Sequence, residues 1–347
     1  MTKDEIHSLE VSTPGLRCHC RAAGTQEGGR VVVMLHGFAS TSHEFRHQLP
    51  ALARAGHPTF AVDMRGFGRT DKPRIRVSRA MLAYDIVQVC KALGLEDVTL
   101  VGRDWGALVA FKAAIDYPQL FTRLVLIDAG CTVFPSDAGQ ILWYKVFPLP
   151  EAFFANHAKD FIEARYGGKD GRVLGGYPGS PYHYPHGPQS APSWITPEDL
   201  EHYVESFDED SQFAAIQYYR YALPLHRVVP DPKDPYGERY QLLSEADVTA
   251  LWLNRGAQPA AVAREYFDVG PEDRHKRYQN PAMLIYGNRM AGMLSERPGT
   301  SGDGQDQYAA QFRRYFTDFR AEYVDSGHFI PEEQPRAVSN LLLQFSQ

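Results

Sequence analysis

Over the first third of the chain, short apolar runs alternate with longer helical patterns, and this alternation limits the fold more than any other feature. Arg30-Val-Val-Val-Met-Leu35 is apolar almost throughout, as a strand buried on both faces must be. Thr59-Phe-Ala-Val62, Val98-Thr-Leu-Val101 and Leu124-Val-Leu-Ile127 repeat the pattern. A helical stretch from about Trp105 to Asp116 follows the third run. Such alternation predicts an α/β fold: a mostly parallel sheet flanked by helices on both faces. Ligands of such sheets sit at the carboxyl ends of the strands. Every motif below falls at such an end.

After about Thr132 the pattern stops. From 133 to 276 we read helical segments and loops with no good parallel strand, and the strand pattern resumes at Ala282-Met-Leu-Ile-Tyr286 and near Ala321-Glu-Tyr-Val324. The expected organisation is a core of residues 1–132 and 277–347 with a mainly helical insertion at 133–276. Two stretches, Tyr166 to Pro192 and Leu223 to Tyr236, are rich in Gly, Pro and Tyr and read as loops. The first holds Tyr182-His-Tyr-Pro-His186, whose irregular ligand spacing fits a surface loop better than a metal site.

Composition narrows the function classes. The 347 residues carry a net charge of −6 and no basic block, which argues against nucleic acid as a partner. The 44% hydrophobic content is enough to bury a core. Four cysteines are too few for a disulfide framework, and Cys18 and Cys20, two apart in a strand-like run, read as buried thiols on one face. A polar N-terminus and the lack of a membrane-length apolar run predict a soluble, cytoplasmic chain.

Val98-Thr-Leu-Val-Gly102-Arg103-Asp104-Trp105-Gly106 carries the most chemistry. It has the glycine-flanked nucleophile arrangement of a strand-to-helix corner, with Asp at the nucleophile position. A carboxylate there can displace a leaving group from saturated carbon, leaving an ester whose acyl half belongs to the enzyme. The competing reading makes Asp104 a helix N-cap. His328, in Ser326-Gly-His-Phe-Ile-Pro-Glu-Glu333, follows the last strand and is the candidate general base. A base of this kind needs a carboxylate to orient it. The loop after the penultimate strand, Tyr286-Gly-Asn-Arg-Met-Ala-Gly292, holds none before Glu296 and Asp303. Asp128, 24 residues beyond Asp104 at the end of its own strand, is preferred to either.

These residues resemble the α/β-hydrolase superfamily, in its Asp-nucleophile branch of epoxide hydrolases and dehalogenases. The anchors are His36-Gly-Phe38, Asp63-Met-Arg-Gly-Phe-Gly-Arg-Thr-Asp-Lys-Pro73, Gly102 to Gly106 and Gly327 to Glu333, and the likeness covers most of the chain. The resemblance implies that the insertion is a cap domain over the active site. It also implies that the backbone N–H groups of Phe38 and Trp105 form an oxyanion hole. Arg103 departs from the family, where His is common at this position; a cation there would be expected to act on Asp104.

The resemblance further implies two cap tyrosines that donate to an epoxide oxygen. Tyr144 and Tyr219 occupy the corresponding places, with Tyr218 as the neighbouring substitute. The expected activity is epoxide hydrolysis to a vicinal diol, without metal or cofactor, on a small apolar epoxide. No membrane or nucleic-acid partner is expected, and a homodimer is the candidate assembly. A haloalkane dehalogenase with Trp143 as halide donor, and a non-catalytic small-ligand binder, are the rival readings.

Overall fold

The structure, a computed structural model, describes residues 4–25, 28–129, 132–135, 139–166, 193–234, 237–254, 266–288 and 312–346. Cys131, the Tyr182–His186 tract, Glu296 and Asp303 lie outside these residues. The described chain divides into two units: residues 1–73, 79–131 and 275–347, and residues 74–78 and 132–274.

The first unit is built on β1 (His7–Thr13), β2 (Leu16–Ala23), β3 (Val32–Leu35), β4 (Thr59–Val62), β5 (Val98–Arg103) and β6 (Phe121–Ile127). Four strands of the second unit come next in the chain: β7 (Val133–Pro135), β8 (His226–Pro230), β9 (Glu238–Leu242) and β10 (Tyr266–Asp268). Then β11 (Ala282–Gly287) and β12 (Phe319–Val324) complete the first unit's sheet. Its eight strands run in the order β1-β2-β4-β3-β5-β6-β11-β12. Pairing is antiparallel from β1 through β2 to β4 and parallel from there on.

Burial explains the order. Every residue of β3, β4, β5 and β11 is buried, so apolar β-branched runs suit these central positions. β1 and β12 lie at the edges and alternate between exposed and half-buried residues. One face of the sheet contributes Val32, Met34, Val101, Val125, Ile127 and Ile285 to a core shared with Leu49 and Leu52 of α1 (Gln48–Arg54). Val338, Leu342 and Phe345 of the last helix, Pro335–Phe345, close the same core. Each fully buried Leu or Ile there contributes roughly 1.5–3 kcal/mol. α2 (Arg79–Ala92) packs against α3 (Trp105–Asp116), which in turn packs on β3, β5 and β6. All but the last residue of α3 is buried, which is why its sequence is apolar all round. The buried thiols of Cys18, Cys20 and Cys90 are free, and burial pushes Cys18 up to about 12.

The second unit departs from expectation in two ways. Beside α4 (Gly139–Lys145), α5 (Leu149–Tyr166), α6 (Pro197–Ser206), α7 (Glu209–Gln217) and α8 (Glu245–Asn254) it contains an antiparallel sheet, ordered β7-β10-β8-β9. The stretch from Leu223 to Tyr236 therefore holds a strand where helical segments and loops were expected. Neither β8 nor β9 has a buried face, so the alternating apolar pattern that announces a strand is missing. Residues 74–78 also group with this unit. Arg74 reaches Glu209 at 2.7 Å and Asp210 at 2.8 Å, a pairing that sequence spacing does not reveal.

Candidate active site

Asp104 directly follows β5 and occupies the N-cap position of α3, with φ 52° and ψ −118°. Its side chain makes no capping hydrogen bond, so the helix does not use the carboxylate. The left-handed backbone is strained for a residue with a Cβ. Neighbouring hydrogen bonds hold it: the Asp104 N–H donates to the Ile127 carbonyl at 3.0 Å, and the Ala107 N–H donates to the Asp104 carbonyl at 3.0 Å. Glycines make the corner sterically feasible. A Cβ on Gly106 would lie 2.1 Å from the Leu35 oxygen, and one on Gly102 would lie 2.2 Å from the Gly106 oxygen.

The loop after β3 brings a donor to this carboxylate. The Phe38 N–H donates to Asp104 Oδ1 at 2.6 Å. Trp105, buried, is the first residue of α3 and follows Asp104 directly. His36 holds the loop from below: its Nε2 accepts from the Met64 N–H at 3.0 Å, and its Nδ1 donates to the Gly37 carbonyl at 2.8 Å. Full burial lowers the His36 pKa, which agrees with this neutral tautomer.

His328 stands in the loop that follows β12. Its Nδ1 hydrogen-bonds Asp128 Oδ2, and its Nε2 lies 3.4 Å from Asp104 Oδ2. Asp128, at the end of β6, is buried with φ 49°, another left-handed position at the same sheet edge. Burial raises its pKa against the lowering effect of His328, and its Oδ1 is buried with no hydrogen-bond partner among the described residues. Burial and Arg103 lower the His328 pKa, but the accepting carboxylates of Asp104 and Asp128 outweigh them and hold it above the ordinary value. Asp104, His328, Asp128 and the Phe38 N–H thus meet in one place.

Sequence reasoning missed two carboxylates here. Glu333 accepts from the Gly327 N–H at 2.8 Å and the Phe329 N–H at 2.9 Å, clamping the loop on both sides of His328. Its place in the Gly-His motif was the available signal. Glu44 accepts from Arg103 Nε and Nη2, at 2.8 and 3.1 Å, and from the Gly37 N–H at 3.1 Å. No motif marked Glu44. The Arg103 guanidinium, expected beside Asp104, also donates through Nη1 to His328 Nε2 at 3.0 Å. A long side chain one residue before the nucleophile position thus reaches the buried acid.

In the second unit, Tyr144 of α4 and Tyr219, in the π turn Tyr218–Ala222 that follows α7, stack with ring centroids 4.2 Å apart and planes 6° apart. Both are buried, as is Tyr218. Gln140 Nε2 donates to the Tyr219 hydroxyl at 2.9 Å. Lys145, next to Tyr144, donates to the carbonyls of Tyr219 and Leu223, each at 2.6 Å. Burial and the nearby Arg220 push the Lys145 pKa down to about 7. Trp143 sits edge-on to Tyr144 and Phe153, completing the aromatic wall behind the pair. Among the described residues no group of acidic, His or Cys side chains could hold a metal, and no helix is long and apolar enough to cross a membrane.

The strand order, the sharp turn after β5 and the last-strand histidine define a class. The fold is that of an α/β hydrolase, and the α/β hydrolase fold family model matches residues 30–180 of the chain. Among its relatives are epoxide hydrolases. It is 29% identical to epoxide hydrolase 3 of Siraitia grosvenorii over 239 residues, 62% of this chain and 73% of that one. It is 29% identical to epoxide hydrolase A of Mycobacterium tuberculosis over 248 residues, 60% of this chain and 72% of that one. In fold it is similar to the crystal structure of epoxide hydrolase A from Mycobacterium thermoresistibile, with a TM-score of 0.68 at 20% identity over 98% of each chain.

Proposed function

We propose that this chain is an epoxide hydrolase that converts a small apolar epoxide to a vicinal diol through an ester on Asp104. In the first step, Asp104 Oδ2 attacks an epoxide carbon in line with the breaking C–O bond. The opening ring oxygen takes a proton from Tyr144 or Tyr219, which we assign to a cap formed by the second unit. In the second step, His328 Nε2 takes a proton from water as the water oxygen bonds to the Asp104 carboxyl carbon. The Phe38 N–H on Oδ1 and the backbone N–H of Trp105 stabilise the negative charge that builds there. Breakage of the acyl–oxygen bond, with the second water proton passing to the departing alkyl oxygen, frees the diol and restores the carboxylate, and His328 returns its proton to the tyrosinate. Asp128 keeps the His328 proton on Nδ1 throughout. Neither step calls for a metal or an organic cofactor.

The observation that favours an epoxide over another leaving group is the Tyr144–Tyr219 stack. An opening epoxide becomes an alkoxide, which needs acidic hydroxyl donors, whereas a departing halide does not need a proton. The N–H that Gln140 gives to the Tyr219 oxygen stabilises the phenolate and so makes Tyr219 the better acid. The names of the relatives point the same way.

The test is product analysis with a panel of terminal and aryl epoxides such as styrene oxide. Diol formation is expected, with loss of roughly 10²–10⁴-fold in ring opening when Tyr144 and Tyr219 are both replaced by Phe. Halide release from bromoalkanes with no diol from any epoxide would overturn the reading.

A further inference from the structure

Among the described residues, Arg103 is the cation that hydrogen-bonds the base. Its side chain and that of Glu44 are both 0% exposed. Glu44 grips Nε and Nη2, and is itself fixed by the Gly37 N–H of the loop that carries Phe38. The remaining terminal nitrogen, Nη1, donates to His328 Nε2 at 3.0 Å, while the guanidinium lies 5.0 Å from the centre of the Phe329 ring. A guanidinium only donates, so Nε2 accepts, and the imidazole proton sits on Nδ1 facing Asp128. A buried positive charge therefore stands against the nitrogen that must take a proton from water.

In the resting chain this charge has a counterweight. Asp104 Oδ2 lies 3.4 Å from the same Nε2, and Asp128 holds the other side of the ring. Glu333 faces the loop through the N–H groups of Gly327 and Phe329. Alkylation of Asp104 changes only one of these charges. The carboxylate becomes a neutral ester, and Arg103 stays where Glu44 holds it. The balance at Nε2 then tips toward the cation.

We propose that Arg103, held by Glu44, is a positioning residue for the second half-reaction: once Asp104 is esterified, its guanidinium keeps His328 Nε2 unprotonated until a water donor takes its place on that lone pair. The inference rests on the covalent reading of Asp104. Hydrolysis forms the bond from the water oxygen to the Asp104 carboxyl carbon and breaks the bond from that carbon to the alkyl oxygen. One water proton goes to Nε2 and from there to the tyrosinate left by ring opening, and the other goes to the departing alkyl oxygen, which becomes the diol's second hydroxyl. A base already protonated at Nε2 could not begin this sequence, so the cation widens the acidic range over which the ester is cleared.

The experiment measures decay of the alkyl-enzyme in single turnovers across pH, following the ester by intact mass. The double variant Arg103→Met/Glu44→Gln removes both buried charges and keeps an acceptor for the Gly37 N–H. Its midpoint for ester decay should rise by about one pH unit or more, so that decay slows roughly tenfold on the acid side and is unchanged on the alkaline plateau. Glu44→Gln alone leaves the cation unbalanced and should move the midpoint down. Arg103→Lys, which keeps the charge and folds most easily, should stay near the wild-type midpoint. Coincident midpoints for wild type and Glu44→Gln, or a lowered plateau with the midpoint unmoved, would overturn the proposal. Absence of any ester in the wild-type enzyme would instead overturn the covalent reading, and this proposal with it.

Discussion

Asp104 could serve a helix or a substrate, and its side chain makes the choice visible. It sits where an N-cap sits, yet its carboxylate accepts from the Phe38 N–H and faces His328, with no cap bond to α3. The oxygen bonded to Phe38 is suited to become the ester carbonyl, and the other is the candidate attacking atom. Removing the base separates the two half-reactions. With His328→Gln, attack on the epoxide should persist and ester hydrolysis should stop. Intact mass should then show the protein heavier by one epoxide, stable for hours; an unmodified variant that still turns over would remove His328 from the reaction. Asp104, Asp128 and His328 were readable because each directly follows a strand or a glycine in a recognisable spacing. Glu44 was not, because it is brought to Arg103 by the fold alone, across 59 positions of sequence.

At the scale of elements, the site depends on how closely β3, β5 and α3 approach. The Gly106 position touches the Leu35 backbone, so any side chain there must push α3 off β3. Gly106→Ala should cost on the order of 3–4 kcal/mol and shift the thermal midpoint down by several degrees. A midpoint within one degree of wild type, read by calorimetry, would show that the corner relaxes more easily than this packing implies. The same elements show which structure a sequence announces. β3, β5, β6 and β11 are buried and β-branched, so their runs stand out. β8 and β9 pair through backbone bonds with both faces half-exposed, so their side chains carry no period that a reader could detect.

For the whole molecule, the Asp63 network ties the antiparallel edge of the sheet to the loops beside the site. Asp63 follows β4 and accepts from His19 of β2 at 2.8 Å, the Ser42 N–H at 2.6 Å and the Arg69 N–H at 3.0 Å. Burial raises its pKa, but the His19 hydrogen bond and the other donors overcome this and lower it to about 2. A depressed carboxyl stabilises the folded chain fully above its unfolded value of 3.8, and this contribution is lost as pH falls from there through about 2. The shift corresponds to about 2 kcal/mol. Asp63→Asn should therefore be less stable than wild type at neutral pH by about this amount, with the gap closing below about pH 2 in urea titrations. A gap that is the same at both ends would assign the loss to packing. Chemistry at the carboxyl edge is the claim that most needs a direct test, and one turnover in ¹⁸O-water with enzyme in excess supplies it. Water attack on the acyl carbon predicts that the heavy atom enters the peptide containing Asp104 while the diol carries none. Label in the diol with an unlabelled peptide would mean that water opened the ring itself, and the covalent account would be wrong.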